Sequence, residues 1–181
     1  MCIRDRASEL HVDAIKHSGG TSALTIDSSG NTTVSQKILT PAIPVFWAYS
    51  NTTNVTGNNT AIVFNLTDLN NGNHYSTSTG RFTAPVAGIY EFNVQALFRK
   101  LNTNSGYGEI TLFKNGSNVS VRGLAYGGEG DGDNAHYNTS FVYRMSLAVN
   151  DYVQPHTYYV SSGSDFYLNQ RLAHFSGRLI G

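Results

Sequence analysis

The chain has 181 residues, as many acidic as basic side chains, and only 13% charged residues, about half the usual share of roughly 25%. A net charge of zero leaves no basic stripe for nucleic acid, and no apolar run approaches the roughly 18 residues of a membrane-spanning helix. Asn, Ser, Thr and Gly make up more than a third of the sequence, so solubility rests on amides and hydroxyls.

Cys2 is the only cysteine, which excludes an intrachain disulfide. His11, His17, His74, His136, His156 and His174 are scattered, with no zinc-ligand spacing among them. With 9 Phe and 11 Tyr, the 40% apolar content suffices for one sizeable all-β core.

Residues 1–9 are set apart as artefact or disordered chain. Their MCIRDR start resembles translated sequencing-adapter read-through of the kind found at the ends of metagenomic assemblies. On that reading the natural chain extends further toward its N-terminus. Residues 10–42 form a second segment. Short alternating pieces such as Ala23-Leu24-Thr25-Ile26 are broken by Gly19-Gly20 and by Ser28-Ser29-Gly30-Asn31, which predicts a small strand-and-turn unit. It is too short to bury a core by itself. Pro41 and Pro44 mark a stiff, extended entry into residues 43–181.

Within residues 43–181, short apolar-alternating runs separated by polar turns predict a β-sandwich. The clearest strand covers 88–100. Tyr90, Phe92, Val94, Ala96 and Phe98 share one face, and Glu91, Asn93 and Gln95 the other, turned to water or to symmetry mates. Residues 107–113 and 119–126 form a hairpin through Lys114-Asn115-Gly116, because Asn-Gly tolerates the positive φ angles of a tight turn. Phe141, Tyr143, Met145, Leu147 and Val149 alternate as a further core-facing set, and 151–160 and 166–180 supply the last strands.

The spacing of Phe64, Asn70, Tyr75, Phe82, Gly88, Tyr90 and Phe92 resembles the aromatic signature of the globular head of complement C1q, whose jelly roll is shared with the tumour necrosis factor ligands. Val94 stands where that family prefers Phe or Tyr. PAIPVFWAY resembles the opening strand, LFKNG the central hairpin, LAVNDYV the Leu-x-x-Gly-Asp-x-Val corner with Asn150 in place of Gly, and FSGRLIG the closing strand. The resemblance implies a ten-stranded jelly-roll β-sandwich over 43–181 that works as a homotrimer and binds rather than converts its partners. The GTSALTIDSSGN stretch resembles the repeated shaft pieces of phage tail fibres, in which three chains wrap one another.

Three constellations are candidates for chemistry. Glu129, Asp131 and Asp133 lie within a Gly-rich loop and could supply part of the six to eight oxygens of a calcium site. The spacing is not that of an EF-hand, and a solvated acidic turn is the other reading. In several heads of the resembling family, acids of the corresponding loop hold calcium near the trimer axis. His136 and Tyr137, beside that loop, are candidates for exposed receptor contacts. In His156-Thr157-Tyr158-Tyr159, Tyr158 is expected in the core or between protomers. No nucleophile elbow or phosphate loop occurs, so no enzymatic activity is expected. Eight Asn-x-Ser/Thr triplets follow from the composition by chance.

The sequence reads as the C-terminal part of a trimeric phage or viral fibre. Its head adheres to a glycan or protein of the host-cell surface, on a virion or otherwise extracellularly. The alternatives are a trimerisation and folding cap without a receptor, or a secreted bacterial or animal recognition protein.

Overall fold

A computed structural model describes residues 14–16, 18–20, 22–34, 43–51, 54–101, 104–129, 135–168 and 170–181. Residues 1–9, with the proposed read-through, lie outside the described residues. The chain divides into two compact units, Met1–Pro41 and Ala42–Gly181.

In the first unit, β1 (Ala14–Lys16), β2 (Ser22–Ile26) and β3 (Thr32–Val34) form one antiparallel sheet in that order. The β2–β3 turn is closed by Asp27. Its Oδ1 accepts the Ser29 and Asn31 amides at 2.9 and 2.8 Å, while Gly30 takes φ +81°. No residue of the three strands is buried.

The second unit is a sandwich of two antiparallel sheets. Its strands are β4 (Val45–Tyr49), β5 (Leu66–Asn70), β6 (Tyr75–Ser76), β7 (Arg81–Thr83), β8 (Gly88–Lys100), β9 (Gly106–Lys114), β10 (Ser117–Gly127), β11 (His136–Leu147), β12 (Tyr152–Val160), β13 (Ser164–Tyr167) and β14 (His174–Leu179). One sheet runs β10-β9-β12-β7-β6 and the other β11-β8-β14-β4-β5. β13 and β14 both pair with β8, over Leu97–Lys100 and Tyr90–Gln95 respectively. They occupy a single lane, so eleven strands fill the ten positions of a jelly roll.

Aromatic rings fill the space between the sheets. Phe46 stacks on Tyr75 at 4.9 Å and on Phe82 at 5.0 Å, and meets Phe175 edge-on at 4.9 Å. Phe64, Tyr90 and Phe92 are fully buried around them. The signature residues now have physical reasons. The Asn70 amide clasps the Tyr75 backbone, Nδ2 donating to Tyr75 O at 2.8 Å and Oδ1 accepting Tyr75 N at 3.0 Å. The Tyr75 hydroxyl donates to Phe64 O at 2.9 Å, which satisfies a buried polar group. A Cβ on Gly88 would lie 2.6 Å from Leu179 and 2.7 Å from Gly181 O, so only glycine lets the closing strand approach.

Two turns bear on stability. Asn115 and Gly116 adopt φ +51° and +82°, the mirror-image turn favoured between twisted strands. Asn150 holds φ +69°, where Gly is usual and Asn is tolerated. Asp151 ties the two turns together. Its Oδ1 accepts Asn115 Nδ2 at 2.7 Å, its Oδ2 accepts Ala148 N at 2.8 Å, and Lys114 Nζ lies 2.9 Å away. The Asn115 bond, then Lys114 and the Ala148 amide, hold its carboxyl at about 2, below the ordinary 3.8. A lowered carboxyl pKa stabilises the folded chain above the unfolded value, and that contribution vanishes as pH falls through the folded value. Acid titration of unfolding is therefore expected to show a loss between about pH 4 and pH 2 that Asp151→Asn lacks. Identical acid limbs in the two proteins would contradict the role assigned to Asp151.

One expectation needs correction and one is narrowed. Val149 does not join the core set; it is 53% exposed in the turn after β11, because the strand ends at Leu147. Of the two places expected for Tyr158, the core is excluded: Thr157 beside it is fully buried, so Tyr158 faces outward, where the place between protomers stands as an expectation. The Arg122 guanidinium lies 3.5 Å over the Tyr158 ring, and Tyr159 stacks on Tyr107 at 4.5 Å.

Candidate functional site

The outward face of the larger sheet carries a groove of about 320 Å³. Strand pairing brings its lining together. Val45 and Trp47 come from β4, Leu69 from β5, Glu91 and Asn93 from β8, Val142 from β11, and Ser176 and Arg178 from β14. The registers Trp47↔Leu69, Trp47↔Ser176, Ser176↔Asn93 and Asn93↔Val142 set these residues in one row across five strands. Gly177 forms the floor. A Cβ there would lie 2.6 to 2.7 Å from Phe92 and Phe46, so the core rings rise directly beneath the groove.

One end of the groove is apolar and the other charged. Trp47 stacks on His174 at 5.5 Å, with Tyr49 at 5.4 Å and the Arg171 guanidinium 4.6 Å from Tyr49. Burial lowers the His174 imidazole pKa. Leu69 is 46% exposed and Val142 58%. Glu91 accepts Arg144 Nε at 2.8 Å and Arg178 Nη2 at 2.9 Å. Those hydrogen bonds, Arg144 first, hold its carboxyl below the usual range. This arrangement suits an apolar anchor with a polar rim.

Edge strand β10 is the second conspicuous surface. Leu124 and Tyr126 are 60% and 61% exposed there, and Tyr107 lies opposite Tyr126 in register. β10 and β11 end their respective sheets on adjacent edges. Long edges with apolar side chains are normally covered.

The residues singled out from sequence fall as follows. Phe64, Tyr75, Phe82, Tyr90 and Phe92 are core residues, while Asn70 and Gly88 brace the backbone. His136 is exposed at the start of β11, with its ring 5.1 Å from Tyr167. Tyr137 corrects the expectation of an exposed pair. Adjacent strand residues face opposite ways, and Tyr137 is half-buried, packing on Phe98 at 6.4 Å. Glu129 is exposed; Asp131 and Asp133 lie outside the described residues. Gly128 O, at the foot of that loop, already accepts the ammonium of the fully buried Lys100. Among the described residues no three His, Cys, Asp or Glu side chains converge, and the calcium expectation rests on Asp131 and Asp133, which lie outside them.

The groove is not legible in the sequence because it needs the pairing order of five strands. Glu91 and Asn93 read as an outward face, but nothing local joins them to Trp47 or Leu69.

A two-sheet antiparallel sandwich with an aromatic core and an open outer groove defines a β-jelly-roll recognition module. The chain belongs to the C1q domain family, whose model matches residues 45–180. Domains of this family are typically non-enzymatic, extracellular binding modules. Solved structures share the fold. The globular domain of a zebrafish complement 1qA protein is 19% identical, covering 77% of this chain and 98% of its own, with a TM-score of 0.56. A tumour necrosis factor of S. frugiperda, Eiger, is 10% identical over 77% of this chain and 94% of its own, at 0.59. Murine APRIL is 14% identical over 76% and 99%, at 0.56. No curated protein matches the sequence. Among the described residues no helix is long and apolar enough to cross a membrane.

Proposed function

We propose that three copies of this chain close into a ring. The apolar edge of one head, Leu124 and Tyr126, would seat in the Trp47–Leu69 groove of the next. The carrying observation is that one molecule presents an uncovered apolar edge and, on a different face, an uncovered apolar groove with a charged rim. Unlike surfaces that fit one another make a head-to-tail contact, which closes into a cyclic oligomer when the rotation allows. The trimeric habit of C1q and tumour necrosis factor homologues supports three copies.

The trimer is the adhesive head of a fibre on a phage or virus particle, contacting a glycan or protein of the host-cell surface. The support is the shaft-like sequence of residues 10–42 and the loop of residues 127–134, which a trimer presents in triplicate. Threefold presentation makes weak single contacts effective. Saturable adsorption of the labelled full chain to a panel of bacterial cells tests this. A variant shortened between Gly128 and Ala135 is expected to keep its mass and lose adsorption at least tenfold. Unchanged adsorption favours the receptor-free cap, and binding confined to animal cells favours a secreted recognition protein.

A further inference from the structure

Asn71-Gly72 and Asn115-Gly116 are the two Asn-Gly pairs of the chain. In such a pair the glycine nitrogen can reach the preceding side-chain amide, because no Cβ hinders its approach. The fold gives the two pairs opposite surroundings. Asn115 is held on both sides of its amide, Nδ2 donating to Asp151 Oδ1 at 2.7 Å and Oδ1 accepting Tyr152 N at 2.9 Å. The group over Gly116 is the Tyr152 hydroxyl, 3.3 Å from where a Cβ would stand, and a hydroxyl is no base at neutral pH.

Asn71 opens the short turn Asn71–Asn73 that follows β5, in which Gly72 takes φ +74° and Asn73 φ +57°. The His74 imidazole folds back over Gly72 so closely that a Cβ there would collide with its Nε2 edge. His74 is fixed in that place. Its carbonyl accepts Thr83 N at 2.8 Å, and Tyr75, the next residue, is clasped by Asn70. A neutral imidazole accepts a proton, so a base stands beside the amide that must lose one.

We infer that Asn71 is a self-modification site, with His74 as the base that activates the Gly72 amide. The imidazole takes the Gly72 N–H proton, and the nitrogen attacks Asn71 Cγ. The new C–N bond closes a cyclic imide, the Cγ–Nδ2 bond breaks, and ammonia leaves with the proton the imidazole carried. Water then opens the imide to aspartate or isoaspartate, with no change of oxidation state. The product carboxylate cannot donate to Ile43 O, as Asn71 Nδ2 does at 2.9 Å, so the chain entering β4 loses a tie as the protein ages.

Peptide mass mapping of the full chain, aged in neutral buffer, tests this. Asn71 is expected to convert at least tenfold faster than Asn115. In urea, which removes both surroundings, the two rates should converge. His74→Gln is expected to slow conversion of Asn71 at least tenfold, a modest loss for a general base. A merely structural role for His74 would act the other way, because a loosened turn reacts faster. The wild-type rate should level once the imidazole is neutral, whereas in His74→Gln it should follow hydroxide throughout. Equal rates at the two sites in the folded chain, the same preference for Asn71 in urea, or an unchanged rate in His74→Gln would each overturn the inference.

Discussion

Replacing Phe46 with alanine is expected to destabilise the head by about 3–5 kcal/mol, the usual cost of removing a buried aromatic ring. The ring is 1% exposed and contacts Tyr75, Phe82 and Phe175 within 5.0 Å. It comes from the larger sheet, while Phe82 comes from the smaller one, so its loss opens a cavity between both layers. The measurement is a urea unfolding curve with the slope held in common. Leu69→Ala, on a neighbouring strand but facing outward, should cost under about 1 kcal/mol in a chain kept dilute enough to be monomeric. Should Phe46→Ala fail to fold, Phe46→Leu provides a smaller, measurable loss. A Phe46→Ala cost no larger than that of Leu69→Ala would contradict the aromatic core described here.

The second large effect concerns assembly. Leu124→Asp places a carboxylate on the exposed edge, and Trp47→Ala empties the apolar end of the groove. Each is expected to weaken association at least 100-fold, or about 2.7 kcal/mol, in the range of interface hot spots. Val149→Asp, equally exposed but in the turn after β11, should change nothing. The folded head should survive all three, because none of these side chains is part of the buried cluster. Association that is unaffected by both Leu124→Asp and Trp47→Ala would move the interface elsewhere on the molecule.

Much of the fold was legible because its signature residues are determined by local chemistry. Tyr90, Phe92, Val94, Ala96 and Phe98 alternate along a strand that is buried on one face, so period two alone placed them. Asn150 stands where the family prefers Gly, and its φ of +69° explains both the preference and the exception. The glycine of Phe-Ser-Gly-x-Leu is required by Phe46 and Phe92 beneath Gly177. The candidate site was less legible for reasons equally physical. Trp47, Leu69, Asn93 and Val142 meet only because β4, β5, β8 and β11 share a sheet in a particular order with β14. Tyr158 faces outward because Thr157 beside it is buried, and which alternating set of β12 faces in depends on the strands it pairs with. Tyr137 lies beside His136 in β11, so the two side chains diverge, a strand placement that their position next to the acidic loop does not signal.

The ring of heads is tested most directly by the mass of the unmodified chain in solution, by sedimentation equilibrium at micromolar concentration. The expected mass is three times the 19.7 kDa of one chain, and a single-chain mass throughout that range contradicts a ring of heads.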